Sequence, residues 1–500
     1  MFTDARTQES LLIRNARVLT WDDERSEHLR GDILIENGLI AAIGPNLSVT
    51  DEFAGRILEA DGLLASPGLI NAHVHSSGNL MRGTLDGLPL EVFMLYEVPP
   101  LAQSNDSSRL DYLRSALGAM EMLKLGITSV LDDAFFVPLA SVTAIDAILG
   151  AYRDSGIRAT VALDQTLVVE YEKYPYLREM LPEPIRHRMD QAPRETEAGM
   201  LLLYRHLIET WHGAAHGRLT AAVSCSAPQR APESYLKALS ALSRSHDLPY
   251  FCHLLETRVQ RVLGEERYGR SLIRYAHDIG ILDERMLAIH TIWIDDDDIA
   301  LLAASRCTVA HNPVCNLRLG SGIMPFRKLR DAGVAIALGT DEAVSDDSHS
   351  VWGAAKLAGL IHTLADADYR QWPSATEVLD CIWRGGAQAM RRNGQVGVLR
   401  PGACADIALL DLTSDAFTPL NSIARQLVYS ETGASVRHTI VAGVLVVENG
   451  HVTTLDEAAI KSELRSMRPE MSARNAALRK EAAMLEPYYR DMYLRCALKT

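Results

Sequence analysis

The chain lacks what several protein classes require. Its seven cysteines among 500 residues form no C-x-x-C pair and are odd in number, which argues against a disulfide framework and for a reducing compartment. Basic residues are outnumbered, 50 Lys and Arg against 64 Asp and Glu, giving a net charge of −14. A nucleic-acid or anionic-membrane partner would want a basic face, so neither is expected. No uncharged apolar run approaches the roughly 20 residues needed to cross a bilayer. The opening "MFTDARTQES" carries acids and no apolar core, unlike a signal peptide, and the expected location is the cytoplasm. Neither G-x-G-x-x-G nor G-x-x-x-x-G-K-S/T occurs, so nothing favours a nucleotide-binding doubly wound sheet. H-x-E with P-C-x-x-C is also missing, which excludes the cytidine-deaminase type of zinc site. What remains is an ordinary globular composition with length for one large domain and smaller ones.

The two ends share a texture of short strands. Near the start stand "LLIRNARVLT", "GDILIENGLI" and "AAIG"; near the end stand "ADIALLDL" and "VRHTIVAGVLVVENGHV". Both ends contain a Glu-Asn-Gly turn, at 36–38 and 448–450, and Asn-Gly favours a tight hairpin. Neither end has strands enough for its own core, so residues 1–65 and 396–455 are expected to pair into one small β-sandwich domain. Residues 456–500 read as a charged, Ala/Leu-rich helical extension.

Between 66 and 395, short apolar runs alternate with helix-period segments. Counting "GLINAHVH" (68–75), the strand-like runs number eight: "TSVLDD", "IRATVAL", "LTAAVSC", "LPYFCH", "MLAIH", "CTVAHN" and "VAIALGTD" complete the set. Repeated β-then-α order implies parallel strands joined by right-handed crossovers, and eight suit a closed (β/α)8 barrel of the TIM type. An open doubly wound sheet is the alternative.

In a barrel of this kind, reactive side chains gather at the C-terminal ends of the strands. The chain meets that demand five times. His73 and His75 are two apart on a strand and therefore face the same way. Later runs end in His253, His290, His311 and Asp341. H-x-H alone fits a surface strand, but five strand ends in register point to a metal site. Three imidazoles and a carboxylate, with room for water, are how a catalytic Zn²⁺ or Fe²⁺ site is built. Glu256, three residues after His253, is placed to move protons beside such an ion. It also reads as a helix first-turn acid favoured by the macrodipole.

The ordered set "GLINAHVH", "LMRGTLDGLPL", "HLLET", "AIH", "VAHNPVCNLRLGSGI" and "ALGTDEAVSDD" resembles the amidohydrolase superfamily, over nearly the whole chain to about 455. Within it the chain is similar to the triazine hydrolases and the cytosine, adenosine-type and S-adenosylhomocysteine deaminases. The resemblance implies that His73, His75, His253 and Asp341 hold one divalent ion, Zn²⁺ first and Fe²⁺ as the alternative. Two-metal members use a carboxylated lysine; "TSVLDD" offers none, and Lys124 precedes it within a helix. Glu256 becomes the proton shuttle, and Asp341 and His290 hold the forming tetrahedral centre. His311 is expected at the rim, supporting or touching substrate. A homo-oligomer is also implied. The chain departs from the family pattern around the substrate mouth: Phe93 for a frequent tryptophan, Cys315 for serine, and Glu342 for a glycine. Glu342 reads equally as a contact for a cationic or donor-rich substrate and as a residue behind the ligands or facing solvent.

The implied activity is hydrolytic deamination of an aminated nitrogen heterocycle (purine, pyrimidine, pterin or triazine) by a metal-activated hydroxide. The same constellation fits loss of halide or alkylamine from a triazine, or cleavage of an amide- or urea-type C–N bond. A catalytically inactive scaffold is a third reading, disfavoured because all four ligands, Glu256 and His290 are retained.

Overall fold

The computed structural model describes residues 10–48, 53–103 and 107–499. The stretch whose lack of an apolar core argued against a leader, residues 1–9, lies outside them. Eight strands form the barrel, numbered here in chain order: β1 Leu69–Val74, β2 Ile127–Phe135, β3 Arg158–Asp164, β4 Leu219–Ala221 continuing as Val223–Ser224, β5 Tyr250–Leu254, β6 Met286–His290, β7 Thr308–His311 and β8 Ala335–Leu338. Every neighbouring pair is parallel. β4 is interrupted at Ala222, whose N–H donates to the Val161 carbonyl at 2.8 Å. Val74 and Asp341 bridge in parallel, and the Asp341 N–H donates to the His73 carbonyl at 2.9 Å, so the far side of the ring also closes. Closure rules out the open sheet.

The strands read as continuous apolar runs because both their faces are covered. Ile70, Leu131, Phe251, Leu287 and Ala310 fill the barrel interior, while Val130, Val161, Cys252 and Val309 face the surrounding helices.

The chain's two ends build one nine-stranded sheet, joined where Leu63–Pro67 pairs antiparallel with Ile407–Asp411. Both Asn-Gly turns have positive φ at both residues, 51° and 75° at Asn37 and Gly38, 49° and 77° at Asn449 and Gly450. This is the conformation two-residue hairpins need. The sheet curls: the Ile40 N–H donates to the Ala403 carbonyl and Ala405 N–H to that of Gly38, both at 2.9 Å. Its enclosed face carries a core of its own, including Ile13, Ile33, Ile407 and Ile440.

A buried ion pair locks this sheet to the barrel. Arg158, at the start of β3, meets Asp406 with Nε–Oδ2 at 2.8 Å and Nη2–Oδ1 at 3.1 Å, each side chain 2% exposed. Removing one partner strands a buried charge. Asp406→Ala is therefore expected to lower unfolding stability by about 3–5 kcal/mol, read from urea denaturation. A loss below about 1 kcal/mol would mean that Arg158 finds water instead.

Helix Glu457–Ala497 runs 41 residues, with Pro469 and Pro487 inside it. Ala482, Leu485, Tyr489 and Met492 pack against Val92, Leu95, Tyr171 and Tyr174, and the Tyr489 hydroxyl donates to Glu170 Oε1 at 3.0 Å. The helix thus braces the loops over the C-terminal end of the barrel.

Candidate metal centre

The ring ends of the strands bring His73, His75, His253, His290, Glu256 and Asp341 together. Asp341 Oδ1 lies 3.5 Å from His73 Nε2 and 3.7 Å from His75 Nε2, and its Oδ2 lies 3.6 Å from His290 Nε2. His253 Nε2 and His75 Nε2 are 3.3 Å apart. All are buried.

Backbone irregularity does the aiming. The β1–β2 register slips between Asn71 and Val74, so that Ala72 and then both histidines reach the interior while Val74 joins the outer core. On β6, Ile289 already faces inward, and simple alternation would turn His290 away. A φ of 73° at His290 turns the ring back toward the centre. Asp341 has φ 64° and Leu255, beside Glu256, φ 51°. Such left-handed conformations at non-glycine residues cost of order 1–3 kcal/mol each and concentrate at functional sites. Gly339 permits the close approach of β8 to β1: a Cβ there would lie 2.4 Å from Asn312 Oδ1 and 2.9 Å from His73 Cβ.

Outer hydrogen bonds select the ring tautomers. His75 Nδ1 lies 2.5 Å from the Asp133 carbonyl, His253 Nδ1 2.7 Å from that of Ser226, and His290 Nδ1 2.9 Å from Asn316 Oδ1. Each of these partners accepts, so each Nδ1 carries the proton and each Nε2 turns a lone pair inward. With both Nε2 atoms unprotonated, as a metal requires, the His75–His253 contact would set two lone pairs face to face, which one cation relieves. His73 is completely buried, and neither of its ring nitrogens has a hydrogen-bond partner. Burial, reinforced by the neighbouring imidazoles His75, His253 and His290, holds His73 far below the usual histidine pKa, hence neutral. Burial does the same to His253. Converging imidazoles with an orphaned nitrogen beside a carboxylate fit a divalent ion, and His73, His75 and His253 form a ligand-spaced group, as do His73, His290 and Asp341.

Glu256 is 3% exposed, with Oε2 3.5 Å from His290 Nε2 and Ser321 Oγ donating to Oε1 at 3.5 Å. Burial, then the Asp341 carboxylate, pushes its pKa up to about 8. The next helix spans Arg258–Tyr268 with Thr257 as its cap, so Glu256 precedes the cap and is not a first-turn acid.

These groups open into a cavity of about 110 Å³ whose wall includes His75, His253, His290, Glu256, Asp341, Phe93, Cys315 and Glu342. His311 is not part of that wall. It is 1% exposed and its Nε2 lies 3.1 Å from His362 Nε2, behind β7. Alternation explains the difference: Ala310 faces the interior, so the next inward residue is Asn312, whose Nδ2 lies 3.5 Å from Asp341 Oδ2. Asn312, Asn316 and Glu97 escaped the sequence reading; the alternation in "VAHNPVCN" carries the signal for Asn312.

Residues 64–446 match the model of the amidohydrolase family. The chain belongs to the amidohydrolase family. A 5'-deoxyadenosine deaminase of Methanosarcina mazei is 30% identical over 464 residues, 93% of this chain and 99% of the relative. A 5-methylthioadenosine/S-adenosylhomocysteine deaminase of Nitratidesulfovibrio vulgaris is 31% identical, covering 92% and 97%. Among solved structures, the zinc complex of an atrazine chlorohydrolase from Arthrobacter aurescens superposes with TM-score 0.77 at 25% identity, covering 94% of this chain and 99% of that one. Among the described residues of this amidohydrolase, no helix is long and apolar enough to cross a membrane.

Proposed function

We propose that this amidohydrolase deaminates an aminated nitrogen heterocycle, replacing C–NH₂ by C=O with one water consumed and one ammonia released. The observation that carries the reading is Glu256: a buried carboxyl 3.5 Å from His290, facing the same cavity as the metal-ligand candidates, with its pKa raised by burial. Adding water to a ring C=N needs a base for the water and an acid for the nitrogen, and one carboxyl of matched pKa serves both.

His73, His75, His253 and Asp341 would hold a single divalent ion. Zinc is the expected metal, in keeping with the zinc-bound relative. When bound, the ion supplies the acidification of water, from ~15.7 towards ~7, that hydrolysis at neutral pH requires. Glu256 takes the proton of the attacking water and delivers it to the ring nitrogen beside the reacting carbon. His290 Nε2, fixed by Asn316 on its other nitrogen, holds the new oxygen of the tetrahedral carbon. Asp341 Oδ2 accepts a proton there and passes it to the departing amine. Phe93 and Cys315 pack together at the cavity wall and would flank the ring. A homo-oligomer in a reducing compartment is part of the same proposal.

Ammonia release tests the reading. The panel holds 5'-deoxyadenosine, 5'-methylthioadenosine, S-adenosylhomocysteine, cytosine, a pterin and amino-s-triazines, set against anilides, ureas and chlorotriazines. Turnover with ammonia from an aminated ring is expected. Activity confined to the second group would overturn deamination and leave the metal centre standing.

A further inference from the structure

Glu97 ends the helix Leu90–Glu97, and Glu342 follows Asp341 directly. Both carboxyls line the cavity over the metal centre, at 5% and 9% exposure. Glu97 Oε1 and Glu342 Oε2 meet no N–H or O–H donor from any other residue, and the two carboxyls hydrogen-bond each other. They converge above Gly78: a Cβ there would lie 3.2 Å from Glu97 Oε1 and 3.7 Å from Glu342 Oε2, and glycine leaves that point open. Among the described residues neither is paired with Lys or Arg, and the only cationisable neighbour of Glu342 is His75, 4.0 Å away. Asp164 adds a further carboxyl to the wall. The cavity's own cations have other contacts: Lys173 meets Glu170 at 2.7 Å, Arg194 the Met189 and Asp190 carbonyls at 3.0 and 3.3 Å, and Arg230 Ser226 Oγ at 2.8 Å with its Nε unpartnered.

Two carboxyls set side by side, away from water, are costly unless a shared proton or an outside donor stands between them. A planar cation with two splayed N–H bonds satisfies both at once, and ionised partners roughly double the strength of such bonds. We propose that Glu97 and Glu342 form a two-carboxyl subsite that takes a planar amidinium- or guanidinium-type group carried by the substrate beside its reacting ring carbon. The assignment deepens the proposed deamination and rests on it for the statement that the ligand is a substrate. Among aminated rings, those that carry such a group are then preferred over the neutral members of the panel, and Glu97, which no sequence motif marks, sets that preference.

Benzamidinium and its neutral isostere benzamide separate charge from shape. Their binding to the metal-loaded enzyme, measured by calorimetry, is expected to differ by at least about tenfold in favour of the cation. Glu97→Gln keeps size and hydrogen-bonding reach, and it is expected to bring that ratio close to one with metal content unchanged. Glu342→Gln should do the same where its metal content equals that of the wild type. Equal binding of the two probes to the wild type would overturn the subsite and show that the carboxyls merely share a proton. A cation preference retained in Glu97→Gln would also overturn it. The ammonia-release panel is scored separately: a cation preference with no deamination sinks the reaction and keeps the subsite, and deamination without a preference does the reverse.

Discussion

Glu256→Gln is expected to lower turnover by about 10²–10⁴-fold while the bound metal stays stoichiometric. Glutamine fills the same space and can still accept from Ser321 Oγ, so the wall of the cavity is preserved. It cannot take a proton. The size of the effect follows from the environment: burial, then the Asp341 charge, raises the carboxyl's pKa, and a carboxyl so placed both gives and takes a proton. A residue that only anchored the helix start would show a different pattern. Its loss would reduce stability and raise KM, leaving kcat near normal, but Thr257 already caps that helix. Steady-state kinetics with metal analysis on the same preparation decides between them; near-normal kcat removes Glu256 from proton transfer.

Much of this architecture was legible in the sequence because barrel strands, covered on both faces, are short apolar blocks that stand out between helices. The eight strands all lie where those blocks are, and the two Asn-Gly turns mark their hairpins. The site was legible where alternation is regular, as for His253, two residues from the inward Phe251. It failed at β7. The first polar residue after the apolar run is His311, but the pleat points it outward to His362, and Asn312 takes the inward place. On β6 the same rule gave His290 only because a left-handed turn reverses the pleat, which no local pattern announces. Glu97 was hidden for another reason. It lies within a helix that reads as ordinary, and it acquires meaning only when the fold sets it opposite Glu342 above Gly78.

His73→Ala should cost at least about 100-fold in metal affinity, since outer residues that merely orient a ligand already cost 10–100-fold when removed. The imidazole it deletes is completely buried, with both nitrogens lacking any hydrogen-bond partner, its ring centroid 4.7 Å from that of His75 and 5.1 Å from that of His253. A histidine in the core for packing alone would not leave two polar atoms unsatisfied. Deleting any buried ring opens a cavity, however, so a loss of metal could follow from general loosening. His311→Ala controls for that. His311 is equally buried and lies on β7, one strand beyond β8, but it turns to His362 behind the barrel wall. Elemental analysis of both variants, prepared from metal-replete cells, is expected to show one zinc per chain in His311→Ala and a small fraction of that in His73→Ala, with ammonia release falling in proportion. Full metal in His73→Ala, or equal loss in both, would break the assignment. Iron in place of zinc would leave the ligand set intact, because neutral imidazoles and a carboxylate suit either ion.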